Sequence, residues 1–242
     1  MSLQTRDHTP TIFWDFDGTL GYRPGMWGGT LLAVLQEADC STTVTREDIA
    51  PFVRHGFPWH TPDVPHLDLN QPAKWWKNVE TVFVRAFVGV GVSDQLADVL
   101  ARRVRAKFLD PEGWVVLDDT VPALGLTSER GWRQYIMSNH VPELPALVAR
   151  LGLADFFEDV ISSANIGYDK PNPEIYAYAR RAAGDPQDVW MIGDSIEADV
   201  LGAERAGLRA ILVRGTDQRA RYRVASLMEA VQLIENNQRY VG

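Results

Sequence analysis

Cysteine is nearly absent: Cys40 stands alone among 242 residues. One thiol cannot build a disulfide framework, so packing must hold the fold, and a reducing, cytoplasmic setting is the expectation. No stretch approaches the roughly 18 consecutive apolar residues that a spanning helix needs, which argues against a membrane partner. The segment Met1–Pro10 is polar and lacks the apolar core of a secretory signal. Basic residues are in deficit: 24 Lys plus Arg against 32 Asp plus Glu leave a net charge of −8. A negative field repels nucleic acid, so nucleic acid is not expected as a partner either. The same field would repel an anionic substrate unless a metal or a local cation reverses it. Internal repeats and low-complexity tracts are also missing. What remains is 45% hydrophobic and 23% charged, an ordinary globular balance that excludes fibrous and disordered classes. The length suits one large domain or two smaller ones.

Apolar patterning divides the chain. Thr11-Ile12-Phe13-Trp14 is a short β-branched and aromatic run that stops at Asp15, which predicts a buried strand ending in a polar turn. After residue 120, strands are expected at Gln134–Met137, Phe157–Ile161, Val189–Ile192 and Leu208–Val213. They alternate with helices at Glu143–Leu151, from Asn172 (N-cap) to Gly184, and Ser195–Ala206. Such alternation indicates βαβ units and a doubly wound parallel sheet covered on both faces. Residues 21–119 differ. Helical spacing appears in Thr30–Ala38, Gln71–Val88 and a Ser93-capped segment reaching Phe108, and Thr45 with Asp48 resembles a capping box. The expected organisation is therefore an α/β core from 1–20 and 120–242 with a helical insert at 21–119.

Four polar groups fall where predicted strands end: Asp15 with Asp17, Ser138, Lys170, and Asp194 with Asp199. In an open parallel sheet, ligands sit outside the carboxyl ends of the strands, so these groups can meet. Asp15 and Asp17, two residues apart, can face one pocket, and their repulsion should raise one pKa. An ionised carboxylate can attack phosphorus, and a protonated neighbour can serve a leaving group and then water. An Asp-Gly turn chosen for local hydrogen bonds is the simpler reading of Asp17-Gly18. The full Asp-x-Asp-Gly-Thr string, however, arises by chance in about one chain in 500. Asp194 could likewise be only an N-cap, with Glu197 completing a capping box. Lys170 could be a solvated loop lysine, and Ser138 an ordinary N-cap. Taken together, the carboxylates offer the hard oxygens that Mg²⁺ accepts. With Asp17 protonated, about −3 of charge on Asp15, Asp194 and Asp199 balances about +3 from one Mg²⁺ and Lys170, so a phosphate can enter. Ser138-Asn139, placed before a predicted helix, could cradle an anion at its start.

These strings resemble the haloacid dehalogenase-like hydrolase superfamily. The resemblance rests on Asp15-Phe16-Asp17-Gly18-Thr19, Ser138, Lys170, and Gly193-Asp194-Ser195 with Asp199, and covers about residues 11–20 and 120–215. Gly167–Tyr176 is also typical of the family. The resemblance implies a Rossmann-like core and a helical cap of the subgroup that includes phosphoglycolate phosphatase and β-phosphoglucomutase. It implies Asp15 as the nucleophile, Asp17 as general acid and base, and Thr19 as the residue positioning the nucleophile or phosphoryl group. Gly18, Ser138, Asn139 and Lys170 would bind the phosphate. The Mg²⁺ ligand set would be Asp15, Asp17 (through its backbone carbonyl), Asp194 and Asp199, with Asp199 also holding Lys170 or a water. Asp17 favours phosphoryl transfer, since the dehalogenase branch lacks this second acid. Gly21-Tyr22-Arg23 departs from the family, where an Asp-Ser or Asp-Thr pair is common.

The expected activity is Mg²⁺-dependent hydrolysis of a small phosphate ester. A phosphomutase using the same residues is an alternative, and a non-catalytic phosphate or protein binder a second. The insert holds five of the eight tryptophans and three of the five histidines. These can recognise a leaving group, although Trp75 and Trp76 also suit plain helix packing. A zinc site from His55, His60 and His66 is not expected, because their spacing does not match helical ligand pairs. Arg102, Arg103, Arg105 and Lys107 read as a solvated helix face. The sequence leaves the oligomeric state open.

Overall fold

The computed structural model describes residues 9–239; Met1 to His8 and the last three residues lie outside it. The chain starts with β1 (Thr11–Trp14) and β2 (Gly21–Tyr22). Four helices follow: α1 (Met26–Ala38), α2 (Arg46–Val53), α3 (Pro72–Gly89) and α4 (Asp94–Phe108). After β3 (Val115–Val116) come α5 (Thr120–Glu129), β4 (Arg133–Ser138), α6 (Leu144–Arg150), β5 (Asp159–Ser162), α7 (Ser163–Ile166) and α8 (Pro173–Ala182). The chain continues through β6 (Val189–Gly193), a wide π-type turn at Ile196–Leu201, α9 (Gly202–Arg205), β7 (Arg209–Val213), β8 (Arg223–Val224) and α10 (Leu227–Arg239).

Six of these strands form one sheet in the order β5-β4-β1-β6-β7-β8, and every pairing is parallel. This is the expected doubly wound α/β core. Strand periodicity explains its two covered faces. Ile12, Trp14, Ile136 and Ile192 point into one buried cluster, while Phe13, Tyr135, Met137 and Met191 point into the other. In the second cluster Ile175, Tyr176 and Ala179 of α8 cover the sheet. The chain winds from β1 outward to β5, then returns to β6 on the other side of β1. The ends of β1, β4 and β6 therefore lie side by side at the switch point.

The helical insert holds α1–α4, entered and left through the antiparallel pair β2–β3, which the sequence reading did not anticipate. Helix α1 also begins four residues before the expected Thr30, because Gly25 in the left-handed region (φ 70°) turns the chain into it. Helix α3 buries Trp75, Trp76, Val79, Val82, Phe83, Ala86 and Phe87, an i, i+3, i+4, i+7 stripe. Trp75 and Trp76 thus pack helices. One continuous apolar cluster runs from Trp14 and Phe16 in the core through Trp114 to Trp27 and Phe83 in the insert. Among the described residues, no helix is long and apolar enough to cross a membrane.

Local signals held unevenly. The Thr45–Asp48 capping box forms, with both reciprocal bonds made. Ser93 sits at the N-cap of α4 without a side-chain cap bond. Strand β5 starts at Asp159 rather than Phe157, although the Glu158 N–H still donates to the Gln134 carbonyl of β4 at 2.9 Å. Of the basic run on α4, Arg103 and Lys107 pair with Glu37 and Arg105 pairs with Glu143. Thr45→Ala is expected to cost about 1 kcal/mol through loss of the cap. Ser93→Ala should cost no more than a few tenths, and thermal unfolding of the two variants measures the difference.

Candidate active site

Strand register brings the acidic turns together. Trp14 pairs with Ile136 on one side and Ile192 on the other, and the Asp15 N–H donates to the Ile192 carbonyl at 2.8 Å. Asp15 thus leaves the sheet level with the ends of β4 and β6. Ser138 is the buried last residue of β4, and Asp194 follows the last residue of β6. Gly18 has a φ of +76°, and a Cβ there would fall 2.1 Å from Asp194 Oδ2. The Asp15–Thr19 loop can therefore close over Asp194 only because residue 18 has no side chain.

Lys170 is the centre of this cluster. It is 2% exposed, and its Nζ donates to Asp15 Oδ1 at 2.8 Å, Asp199 Oδ1 at 2.6 Å and the Met137 carbonyl at 2.8 Å. All three ammonium donors are used. Burial alone would lower its pKa, but Asp15 and Asp199 outweigh that and hold it above the usual lysine value. The Asn139 side chain fixes the Lys170 backbone from both sides: Nδ2 donates to the Lys170 carbonyl at 2.7 Å, and Oδ1 accepts from its N–H at 2.7 Å.

Three local expectations are corrected. Asp194 does not cap a helix; Ser195 does, its hydroxyl accepting from the Ala198 N–H at 3.2 Å. Asp194 is thereby left for the site. The regular helix expected at Ser195–Ala206 opens as the π-type turn, in which the Asp199 and Val200 N–H groups both donate to the Ser195 carbonyl. That turn brings Asp199 Oδ2 onto the Ser195 N–H at 2.9 Å while Oδ1 holds Lys170. Ser138-Asn139 does not open a helix either. Helix α6 begins at Leu144, beyond a loop that contains Pro142.

Asp15, Asp194 and Asp199 each present a carboxylate oxygen, and these atoms lie within 4.8 Å of one another. Burial is the main reason that Asp199 is raised, and partial desolvation with the Asp15 charge pushes Asp194 up to about 6. Three carboxylates facing one ammonium leave an excess of negative charge. A divalent cation with a preference for hard oxygens fits that donor set. The Asp17 side chain lies outside the group of three. Its Oδ1 is buried without a hydrogen-bond partner, and burial, then the Asp15 and Asp194 charges, raise its pKa well above the usual carboxylate value. Thr19 is fully buried, and its Oγ1 also lacks a partner.

Two further residues escaped the sequence reading. Arg214, just beyond β7, donates to the Thr19 carbonyl at 3.1 Å and pairs with Asp119, so it clamps the Asp15–Thr19 loop to α5. A basic residue at a strand end was its only sequence signal. His140 is 1% exposed; its ring makes no well-formed hydrogen bond, only a weak one to the Val141 backbone, and Nε2 lies 3.9 Å from Asp17 Oδ1. Burial pushes its imidazole down to about 4. Among the insert's own histidines, His66 is occupied by the Pro58 carbonyl and Thr61, and His55 and His60 face each other edge-on.

A doubly wound parallel sheet with a buried carboxylate–ammonium centre at its switch point defines the class of protein. The chain belongs to the haloacid dehalogenase-like hydrolases, whose family profile matches residues 9–207. Haloacid dehalogenase-like hydrolase domain-containing protein 3 of Mus musculus is 31% identical over 146 residues, 60% of this chain and 57% of that protein. A glyceraldehyde 3-phosphate phosphatase of Methanopyrus kandleri is 34% identical over 99 residues, 40% of this chain and 42% of the relative. The chain thus spans about half the length of the curated relatives it matches. Among solved structures, the magnesium-bound HAD-hydrolase YfnB of Bacillus subtilis has a TM-score of 0.72 at 21% identity. That match covers 95% of this chain and 100% of the other and shows the shared fold.

Lys170→Met leaves two buried carboxylates without their cation. It should destabilise the protein by about 3–5 kcal/mol in chemical denaturation. Arg103→Ala, which removes a surface pair with Glu37, should cost about 1 kcal/mol or less.

Proposed function

We propose that the protein is a Mg²⁺-dependent phosphatase that hydrolyses a small phosphate monoester through an aspartyl-phosphate on Asp15. The observation that carries this reading is the contrast between the two neighbouring acids. Asp15 is ion-paired to Lys170 at 2.8 Å, whereas Asp17, its side chain 27% exposed, has no cationic partner so close, its Oδ1 is buried without a hydrogen bond, and its pKa is pushed upward. One carboxylate is thereby matched with a cation, while the environment of the other favours its protonated form. The phosphatase name carried by the Methanopyrus kandleri relative supports the same class of reaction.

In this reading Lys170 holds Oδ1 of Asp15, and Oδ2 attacks phosphorus. The ester P–O bond breaks, its electron pair goes to the alcohol oxygen, and that oxygen takes the Asp17 proton. Asp17, now a carboxylate, accepts a proton from water as the water oxygen attacks the acyl phosphate. Orthophosphate leaves, and the Asp15 carboxylate is restored. Ser138 receives a phosphoryl oxygen, and Lys170 does so by exchanging one of its three present acceptors for it. The Gly18 and Thr19 N–H groups, which donate to the Gly21 and Phe16 carbonyls, are already engaged. Asp15 and Asp194, with the Asp17 carbonyl and Asp199, would hold Mg²⁺, which lowers the charge repulsion between nucleophile and phosphate. The insert of residues 21–119 acts as a cap over the site and excludes water.

Asp15→Asn should lower phosphate release about 10³-fold or more with little change in melting temperature. Asp17→Asn should lose about 10²–10⁴-fold on an alkyl phosphate. Its loss should be much smaller on an aryl phosphate whose leaving group needs no proton. Equal losses on both esters would remove Asp17 from the acid role. Chelation should abolish turnover, and added Mg²⁺ should both restore it and raise the melting temperature by mass action. An unchanged melting temperature on titration with Mg²⁺ would speak against the metal site.

A further inference from the structure

Beside Asp17 the structure encloses a cavity of about 170 Å³. Trp27 and Trp59 of the insert and Phe108 of α4 form its aromatic walls, and His140 lines it from the core. Trp27 stacks on Phe108 at 4.0 Å between ring centroids and 3° between planes, so the walls are braced against each other. No Lys or Arg is among the lining residues.

Size and polarity limit what can enter. An apolar cavity of roughly 150 Å³ admits benzene, while pockets for drug-sized ligands run to about 300–1,000 Å³. A leaving group of about six to eight heavy atoms fits here, and a nucleoside does not. A carboxylate or a second phosphate would be stripped of water against aromatic faces, close to Asp17, with no cation to receive it.

The polar groups point the same way. His140 is packed by Phe16, Phe108 and Trp114, at ring-centroid distances of 5.7, 5.7 and 5.5 Å. Neither of its nitrogens nor the facing Asp17 Oδ1, 3.9 Å from Nε2, makes a well-formed hydrogen bond, the Val141 backbone giving the ring only a weak one. A buried imidazole so poorly satisfied is costly unless a ligand completes it. A hydroxyl or carbonyl oxygen is the group that completes it.

We propose that this cavity receives the leaving alcohol of the substrate, that this alcohol is compact and uncharged, and that His140 selects it by hydrogen bonding to one of its oxygens. The inference rests on the phosphatase reading above. The aromatic walls give contact area to the carbon skeleton, and the core histidine supplies the directional contact.

The test compares kcat/KM with Mg²⁺ present for glycerol 1-phosphate, phenyl phosphate, phosphoserine and adenosine 5′-monophosphate. The two uncharged compact alcohols should exceed phosphoserine and the nucleotide by tenfold or more. His140→Phe keeps the ring packing and removes the hydrogen bond. It should lower the ratio of glycerol 1-phosphate to phenyl phosphate about tenfold, chiefly through KM, the size expected for one lost hydrogen bond. His140→Gln should recover part of that ratio. In Asp15→Asn, which binds without turnover, glycerol 1-phosphate should quench tryptophan emission at lower concentration than phosphoserine. Preference for phosphoserine or the nucleotide, or an equal loss on both uncharged esters in His140→Phe, overturns the inference while leaving the phosphatase intact. A wild-type protein inert toward all four esters and indistinguishable from Asp15→Asn overturns both.

Discussion

A single buried ammonium group organises the site. Lys170 Nζ spans Asp15 beyond β1, Asp199 beyond β6 and the Met137 carbonyl of β4, so one atom ties three adjacent strand ends. Placing a charge there is expensive, since desolvating an ion in a protein interior costs several kcal/mol before its partners repay it. The surrounding structure limits that cost by offering three acceptors and by holding the Lys170 backbone through both ends of the Asn139 amide. Such an arrangement contributes less to net stability than to position. The Asp15 carboxylate cannot rotate without giving up its 2.8 Å bond to that ammonium.

The same cation leaves the site unbalanced, and the imbalance is chemically useful. Asp15, Asp194 and Asp199 converge on one positive side chain, and Asp17 stands nearby without a partner. Two responses are open to such a cluster: take up protons or take up a cation. The upward shifts of Asp17 and Asp194 show the first tendency. The hard-oxygen donor set suits the second. A chain with a net charge of −8 also needs local positive charge before a phosphate can approach. Structure and composition therefore impose the same requirement at one place.

Much of this was legible in the sequence because it depends on short-range rules. The run Thr11–Trp14 reads as a strand from residue type, and the acidic turn follows it directly. Alternating strands and helices after residue 120 fix a parallel sheet, whose geometry brings distant turns to one edge. Thr45 with Asp48 announced its own helix start. The misreadings share a cause. Asp194 and Ser195 are both good N-caps, and sequence spacing does not decide between them; the demand of Lys170 for Asp199 does. In the π-type turn the Ser195 carbonyl accepts from both Asp199 and Val200 while the Asp199 side chain reaches Lys170. Arg214 and the β2–β3 pair are set by contacts across 195 and 93–95 residues of sequence, beyond the reach of periodicity. His140 escaped for a different reason. A histidine just past a strand end is an ordinary residue until the structure buries it without a well-formed hydrogen bond to its ring.

The division of labour between core and insert follows from these constraints. The sheet edge carries charge and fixes atoms to within hydrogen-bond distances, as its closed network around Lys170 requires. The insert contributes Trp27, Trp59 and Phe108, large surfaces held by stacking and without charge. Stacked rings can define a volume and a polarity, but they cannot position a reacting phosphorus. Charge networks can position phosphorus, but they are indifferent to what the ester carries. His140 joins the two regimes, since it belongs to the core by sequence, sits among insert-facing rings, and lies 3.9 Å from Asp17 Oδ1. An enzyme built this way can change its substrate by changing the rings while the charged edge stays as it is. The freedom runs in one direction only, because any substitution that unsettles Lys170 disturbs Asp15, Asp199 and β4 together.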